Sequence, residues 1–198
     1  MGENRAELAG HPDRIRWNAR YGEGSGPSFV PHPLAARALS MPLPDGPVAD
    51  LACGPSGGAL LAAGAGRQVT AVDIAEVALG MLGQEAERRG LRGLITLVQA
   101  DLREWHPRLA CYALVLCTGY WDRDVFTTAT GAVAPGGLLG WEAFTAEARP
   151  ARPGLPAEWC LGPGEPAALL PSGFEVIDQH GIPDAGRGTK RQLLARRR

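Results

Sequence analysis

The sequence predicts an α/β protein: a doubly wound, mostly parallel sheet of seven strands, closed at one edge by a C-terminal antiparallel hairpin. Three observations carry this reading. Short, continuously apolar runs recur from Val48 onward and alternate with segments of helical composition, the pattern of strands buried on both faces and joined by crossover helices. The first four of these runs are each followed within three residues by an acid or a glycine. The tail breaks the alternation, because its two apolar runs are separated only by a Gly/Pro/Asp-rich stretch, as a hairpin requires.

Taken in order, Arg14 to Tyr21 has room for two helical turns, with Ile15 and Trp17 as apolar anchors, and Pro33 to Leu39 reads as a short helix. Met41 to Pro47 is turn-rich and resets the chain. Val48 to Leu51 is the first strand, followed by the cluster Asp50-Leu51-Ala52-Cys53-Gly54-Pro55-Ser56-Gly57-Gly58 and a helical stretch from Ala59 to Ala65. Gln68 to Val72 is the next strand, Ile74 to Arg89 a helix closed by Gly90, and Ile95 to Val98 and Tyr112 to Cys117 two further strands. Asp122 to Val133 suits a helix, with Asp122 as its N-cap and Pro135-Gly136-Gly137 as its stop, before a strand over Leu138 to Phe144. Phe174 to Asp178 and Gln192 to Ala195 are the hairpin strands, joined by a loop over Gly181 to Gly188.

The 198 residues, 45% hydrophobic and 21% charged, are those of an ordinary globular domain. The formal charge of −1 gives no long-range pull towards phosphate backbones or anionic lipid, so neither a nucleic-acid nor a membrane partner is expected. The four cysteines form no C-x-x-C pair and stand apart from the histidines, so no metal is expected. No basic start followed by an apolar run opens the sequence, and a cytoplasmic location with reduced thiols is expected.

Ligands of open α/β sheets sit beyond the carboxyl ends of the strands. Gly54, Gly57 and Gly58 after the first strand admit a ligand to the backbone ahead of a helix N-terminus. Asp73, 19 residues beyond Gly54, stands where a carboxylate accepts hydrogen bonds from both ribose hydroxyls. Asp101 is suited to an exocyclic adenine amine, with the backbone N–H of Leu102 beside it. Together they describe a site for an adenosine. Each glycine or aspartate alone is also explained by a tight turn or a helix cap; the succession after three strands is what points to a ligand.

Val48-Ala49-Asp50-Leu51-Ala52-Cys53-Gly54 resembles the first motif of class I S-adenosylmethionine-dependent methyltransferases. Val69 to Ile74, Gln99-Ala100-Asp101-Leu102, Tyr112 to Leu116 and Ala134-Pro135-Gly136-Gly137-Leu138-Leu139 match later landmarks of that family in order. The resemblance runs from about Asp13 to the C-terminus. Trp17-Asn18-Ala19-Arg20-Tyr21 is similar to the small-molecule branch related to tellurite- and thiopurine-type methyltransferases.

The resemblance implies a Rossmann-like single domain over 1–198: a lid segment over 1–46, a cofactor-binding core over 47–144, and a substrate-side insertion with the hairpin over 145–198. It implies S-adenosyl-L-methionine as cofactor, with Asp50 and the backbone from Ala52 to Ser56, Gly54 included, on the methionine end. Asp73 and Ile74 would serve the ribose, Asp101 and Leu102 the adenine, and Cys117 and Thr118 the floor beneath the sulfonium. Trp17 and Tyr21 would form part of a lid.

Two positions depart from the family pattern, which has glycine where Ala52 and Ser56 stand. Alanine costs little if φ stays negative; the Ser56 side chain crowds the amino-acid end of the cofactor unless Gly57 and Gly58 shift the turn.

A small-molecule methyl acceptor follows from the residues after the fourth strand. Cys117-Thr118-Gly119-Tyr120-Trp121 lacks the Asn/Asp-Pro-Pro-Tyr/Phe sequence used on nucleobase amines, and Tyr120 and Trp121 offer flat walls for an aromatic or lipophilic acceptor. Packing onto the following helix explains the same two residues. Trp159 is the candidate substrate contact in the insertion. Glu142 either reaches the site or pairs with an arginine, and no residue stands out as catalytic. Three other readings remain open at this point: a cofactor-binding fold without catalysis that acts as a partner or regulatory subunit, an enzyme that keeps the cofactor but transfers a different group or uses the sulfonium electrostatically, and an NAD(P)-dependent oxidoreductase. The last is disfavoured because G-x-x-G-G is not G-x-G-x-x-G and the sole lysine lies at position 190.

Overall fold

A computed structural model describes residues 8–23, 26–184, 186 and 188–198. Seven strands form one sheet in the order β3-β2-β1-β4-β5-β7-β6. They are β1 (Val48–Leu51), β2 (Val69–Asp73), β3 (Ile95–Gln99), β4 (Tyr112–Thr118), β5 (Val133–Phe144), β6 (Phe174–Asp184) and β7 (Gly188–Arg197). Pairing is parallel from β3 to β5 and antiparallel for β7 against both β5 and β6. Strand order reverses between β1 and β4, which opens a crevice at their carboxyl ends.

The helices are α1 (Pro12–Gly22), α2 (Pro33–Leu39), α3 (Gly57–Gly64), α4 (Glu76–Arg88) and α5 (Arg123–Ala132). Both α1 and α2 begin with His-Pro: the histidine Nδ1 accepts a backbone N–H from the first turn, and proline occupies a position whose own N–H has no helical partner. Asp122 caps α5, accepting from the N–H groups of Asp124 and Val125.

Alternation along the strands sorts the interior into two layers. Ala49, Leu51, Val115, Cys117, Leu139 and Trp141 pack with α5. Val48, Leu114, Leu116 and Leu138 pack with α2, α3 and α4 through Leu34, Leu60 and Leu82. Burying the strands on both faces is what erases their polar alternation in the sequence.

Two boundaries differ from expectation. Pro135-Gly136-Gly137 does not stop a helix, because α5 passes directly into β5 at Val133. Instead Ala134 to Gly137 bulge out of the ladder, since Tyr112 pairs with Val133 but Leu114 already pairs with Leu138. Gly136 takes φ +75°, and a Cβ on Gly137 would lie 2.8 Å from the Ala134 oxygen. The expected loop over 181–188 is mostly ladder, with Asp184 still paired to Gly188. An edge strand tolerates Pro183, which has no N–H to contribute.

Gly57 is required where the chain entering α2 crosses the start of α3. A Cβ there would fall 2.5 Å from the Phe29 oxygen and from the Val30 carbonyl carbon. Both neighbours are backbone and cannot rotate aside. Gly57→Ala is therefore expected to lower stability by about 1–3 kcal/mol, read as a lower urea midpoint at unchanged slope; an unchanged midpoint would contradict this packing.

Candidate active site

A cavity of about 620 Å³ opens at the carboxyl ends of the strands beneath α1. From α1 it is lined by Asp13, Arg16, Trp17, Arg20 and Tyr21, a spacing that places all five on one helix face. Ile15, expected as an anchor, is 56% exposed on another face. The helix is held to the core by polar contacts instead. The Arg14 guanidinium grips both carboxylate oxygens of Glu76, Asn18 accepts from the Val77 N–H, and His11 lies 3.4 Å from Asp101.

The strand ends supply the opposite wall. Ala52, Asp73, Ile74, Asp101, Leu102, Thr118, Tyr120 and Trp121 all border the large cavity, as does Trp159, whose ring lies 4.4 Å from the Arg16 guanidinium carbon. Asp73 is buried; its Oδ2 accepts from the Gly54 N–H at 2.7 Å and its Oδ1 from the Ala75 N–H at 2.8 Å. Burial raises its pKa and these backbone donors oppose that rise. Gly54 has φ +56°, and a Cβ there would meet the Tyr21 hydroxyl at 2.8 Å. Tyr21 therefore lies directly over the glycine turn.

Asp50 and Ser56 face elsewhere. On β1, Asp50 shares the side of Val48 rather than that of Leu51, so its carboxyl lies towards α2 and α3. There it lines a second cavity of about 180 Å³ with His32, Cys53 and Ser56. Thr118 borders both cavities. The Ser56 hydroxyl donates to Asp50 at 2.5 Å and accepts from the Ala59 N–H as the N-cap of α3, so the side chain turns into the helix end. Cys117 lies in the core beneath the wall, with its thiol 3.7 Å from the Tyr120 oxygen.

Ala52 does not meet the condition set for it. Its φ is +46°, a left-handed conformation that costs a residue with a Cβ roughly 1–2 kcal/mol. Ala52→Gly is expected to raise stability by about 0.5–1 kcal/mol once the greater freedom of glycine in the unfolded chain is subtracted. Urea unfolding checks this, and a loss of stability would contradict the strain.

Neither Glu142 nor the tyrosines of the large cavity are set to act as a base. Glu142 is buried and pairs with Lys190, Gln192 and His32 rather than with an arginine. Burial works to raise its pKa, but hydrogen bonds from these three partners bring it down to about 2, far too low for a base at neutral pH. Burial holds the phenols of Tyr21 and Tyr120 well above their usual range, so both stay protonated. Trp121 packs edge-on to Trp141 and against Phe126 of α5, so the packing role weighed for it and the cavity wall are one and the same.

The sequence reading passed over Arg16, Arg20, Phe144, Arg152 and Lys190, all of which line the large cavity. The first two were detectable from their helical spacing with Trp17 and Tyr21. Lys190 and Arg152 are brought in by the β5–β7 ladder and by the insertion, and no local pattern marks them.

Residues 48–137 match the family model for a methyltransferase domain. The parallel core of the chain is thus similar to methyltransferase domains. The chain is similar in fold to a protein described for the conversion of a disulfide bond into a thioacetal group during echinomycin biosynthesis, with 19% identity, 93% of each chain covered and a TM-score of 0.68. It is also similar to an S-adenosylmethionine-dependent methyltransferase from Mesorhizobium loti, with 22% identity, 82% of this chain and 96% of that one covered, and a TM-score of 0.65. Geranyl diphosphate C-methyltransferase from Streptomyces coelicolor A3(2), in complex with S-adenosyl-L-homocysteine, matches at 14% identity over 83% of this chain and 74% of that one, with a TM-score of 0.65. No curated protein sequence matches the chain significantly. Among its described residues no helix is long and apolar enough to cross a membrane.

The resemblance implies S-adenosyl-L-methionine as cofactor, and the residues present fit it. A buried carboxylate already tied to the glycine turn, a bare Gly54 backbone beneath Tyr21, and a cavity reaching from Asp101 to Trp159 are all in place.

Proposed function

We propose that the protein methylates a small, flat acceptor in the cavity between α1 and the strand ends. The observation that supports this most is the cavity's enclosure by Trp17, Tyr120, Trp121, Phe144 and Trp159, apolar walls suited to a ring-sized ligand. In this reading Asp73 and Ile74 hold the ribose, Asp101 and the Leu102 N–H the adenine, and the turn from Ala52 through Gly54 the methionine end. Asp50 and Ser56 support that turn from the smaller cavity, Thr118 forms the floor, and Cys117 supports it from below. Trp17 and Tyr21 close over the cofactor, in keeping with the small-molecule branch that Trp17 to Tyr21 resembles.

Bound there, the cofactor supplies a methyl group already activated by its sulfonium. The chain's task is to hold the acceptor in line, keep water out and supply no strong base. Such orientation is worth on the order of 7–11 kcal/mol. The balanced charge supports a partner other than nucleic acid, and the four free thiols fit a reducing, cytoplasmic setting.

Incubation with methyl-labelled S-adenosylmethionine and a small-molecule extract, read by mass spectrometry, tests the proposal. Label in a small acceptor supports it. Label confined to protein or nucleic acid in a mixed extract would overturn the acceptor class.

A further inference from the structure

We propose that Arg14 and Asn18 are positioning residues: they hold α1 shut over the cavity against the start of α4, at the turn that receives the cofactor's ribose in the methyl-transfer reading on which this rests. The first observation is how the helix is held. No residue of α1 is fully buried, so the apolar stripe that normally fixes a helix is missing. Asp13, Arg16, Trp17, Arg20 and Tyr21 face the cavity, and Ile15 is exposed. Arg14 and Asn18, four residues apart, form a separate face turned to α4. Arg14 Nε donates to Glu76 Oε2 at 2.9 Å and Nη2 to the other carboxylate oxygen. The Val77 N–H donates to Asn18 Oδ1 at 3.2 Å.

The second observation is what these residues fasten to. The N-cap of α4 is Ala75, whose side chain has no oxygen to offer the first N–H groups. Those groups are met from elsewhere: the Ala75 N–H by Asp73 Oδ1 at 2.8 Å and the Val77 N–H by Asn18. The carboxylate assigned to the ribose and the helix over the cavity therefore share one helix terminus. Gln99, at the end of β3, donates to Glu76 Oε2 at 2.9 Å and to the Ile74 oxygen at 3.2 Å. Glu76 is thus set in place from the sheet, independently of α1. His11, the cap of α1, stands 3.4 Å from Asp101, the acid assigned to the adenine. A nucleoside held by Asp73 and Asp101 steadies the same groups on which α1 closes.

The far side of α1 is also releasable. The Arg16 guanidinium carbon lies 4.4 Å from the Trp159 ring centroid and 5.2 Å from that of Trp17. The helix thus meets the insertion through stacked cations, a contact that parts and re-forms without repacking a core. At its exit, Gly22 ends the helix and Gly26 takes φ +97° with open space around it, the kind of position where a hinge absorbs rotation. Shut, α1 is one wall of the cavity; lifted, it leaves the strand ends open. Cofactor and acceptor therefore pass the same helix, and the acceptor's wall is complete only when Arg14 and Asn18 are engaged.

Native-state hydrogen exchange read by mass spectrometry, with and without S-adenosylhomocysteine, tests this. In the ligand-free protein the amides of α1 are expected to exchange about a hundredfold faster than those of Leu79 to Ala86 inside α4, and S-adenosylhomocysteine should slow α1 about tenfold or more. Arg14→Gln and Asn18→Ala should each speed α1 exchange in the complex about fivefold, raise the S-adenosylhomocysteine dissociation rate by a similar factor, and leave Leu79 to Ala86 unchanged. Arg14→Glu combined with Glu76→Arg should recover the slow exchange that either substitution alone loses. Exchange of α1 at the rate of the α4 interior, or variants that speed both alike, would make the two residues merely structural and overturn the proposal. Binding of S-adenosylhomocysteine without slowing of α1 would overturn it while leaving the methyl-transfer reading intact. Failure of the unaltered protein to bind S-adenosylhomocysteine would overturn that reading, and the coupling with it.

Discussion

Asp73→Ala is expected to weaken S-adenosylhomocysteine binding by roughly tenfold to a hundredfold, the equivalent of about 1.5–3 kcal/mol for hydrogen bonds to a charged acceptor. Two losses combine in this variant. The ribose hydroxyls lose their acceptor, and the Gly54 N–H, held by Asp73 at 2.7 Å, loses the bond that shapes the turn. Ala75 N–H at the start of α4 is released as well. Asp73→Asn separates the contributions: its amide retains one oxygen for the Gly54 N–H but turns a donor towards the second partner. Asn is therefore expected to lie between wild type and Ala. Calorimetric titration gives the three affinities, and an unchanged value for Asp73→Ala would place the cofactor elsewhere.

Stability of the ligand-free protein is expected to fall as pH rises from about 5 to 7, by on the order of 2–3 kcal/mol. The cause is Asp50. Burial lifts its pKa from 3.8 to about 7; the Ser56 hydroxyl and His32 oppose the rise and the Asp73 charge adds to it. The sign follows from proton counting. Between the unfolded and folded pKa the native state holds a proton that the unfolded chain has released, so raising the pH favours unfolding. Asp73, also raised by burial, adds to the slope. Glu142 acts oppositely: its pKa is lowered to about 2, so its contribution is present above its ordinary pKa of 4.5 and is lost as pH falls towards 2. Urea unfolding at several pH values should show the slope, and Asp50→Asn should flatten it. A slope untouched by that substitution would contradict the assignment.

The fold was legible where local chemistry marks both ends of an element. The strand Val48–Leu51 and the helix Pro33–Leu39 match their expected limits, one an apolar run between turns, the other opened by proline and capped by serine. It was less legible where the ladder overrides local preference. Pro135-Gly136-Gly137 reads as a stop but forms a bulge within β5, and Gly181 to Asp184 read as loop but pair along an edge.

The site divides in the same way. Asp73, Asp101 and Leu102 follow strand ends, so their place on one cavity was readable from sequence order. The separation of Asp50 from them depends on side-chain parity along β1, which an apolar four-residue strand does not reveal. The Ala52 φ of +46° is likewise set by the turn rather than by the residue. Lys190 looked like a remote lone lysine, yet the antiparallel register places it opposite Phe144 and beside Glu142. Arg152, which also lines the large cavity, has no sequence signal of any kind.

S-adenosylmethionine is expected to occupy the cavity beneath α1. Calorimetric titration of the unaltered protein with S-adenosylmethionine, S-adenosylhomocysteine and NAD⁺, side by side, tests it most directly. One site of micromolar affinity for each sulfur compound and no heat from NAD⁺ are expected. Absence of binding by both sulfur compounds, or binding of NAD⁺ in their place, would contradict it.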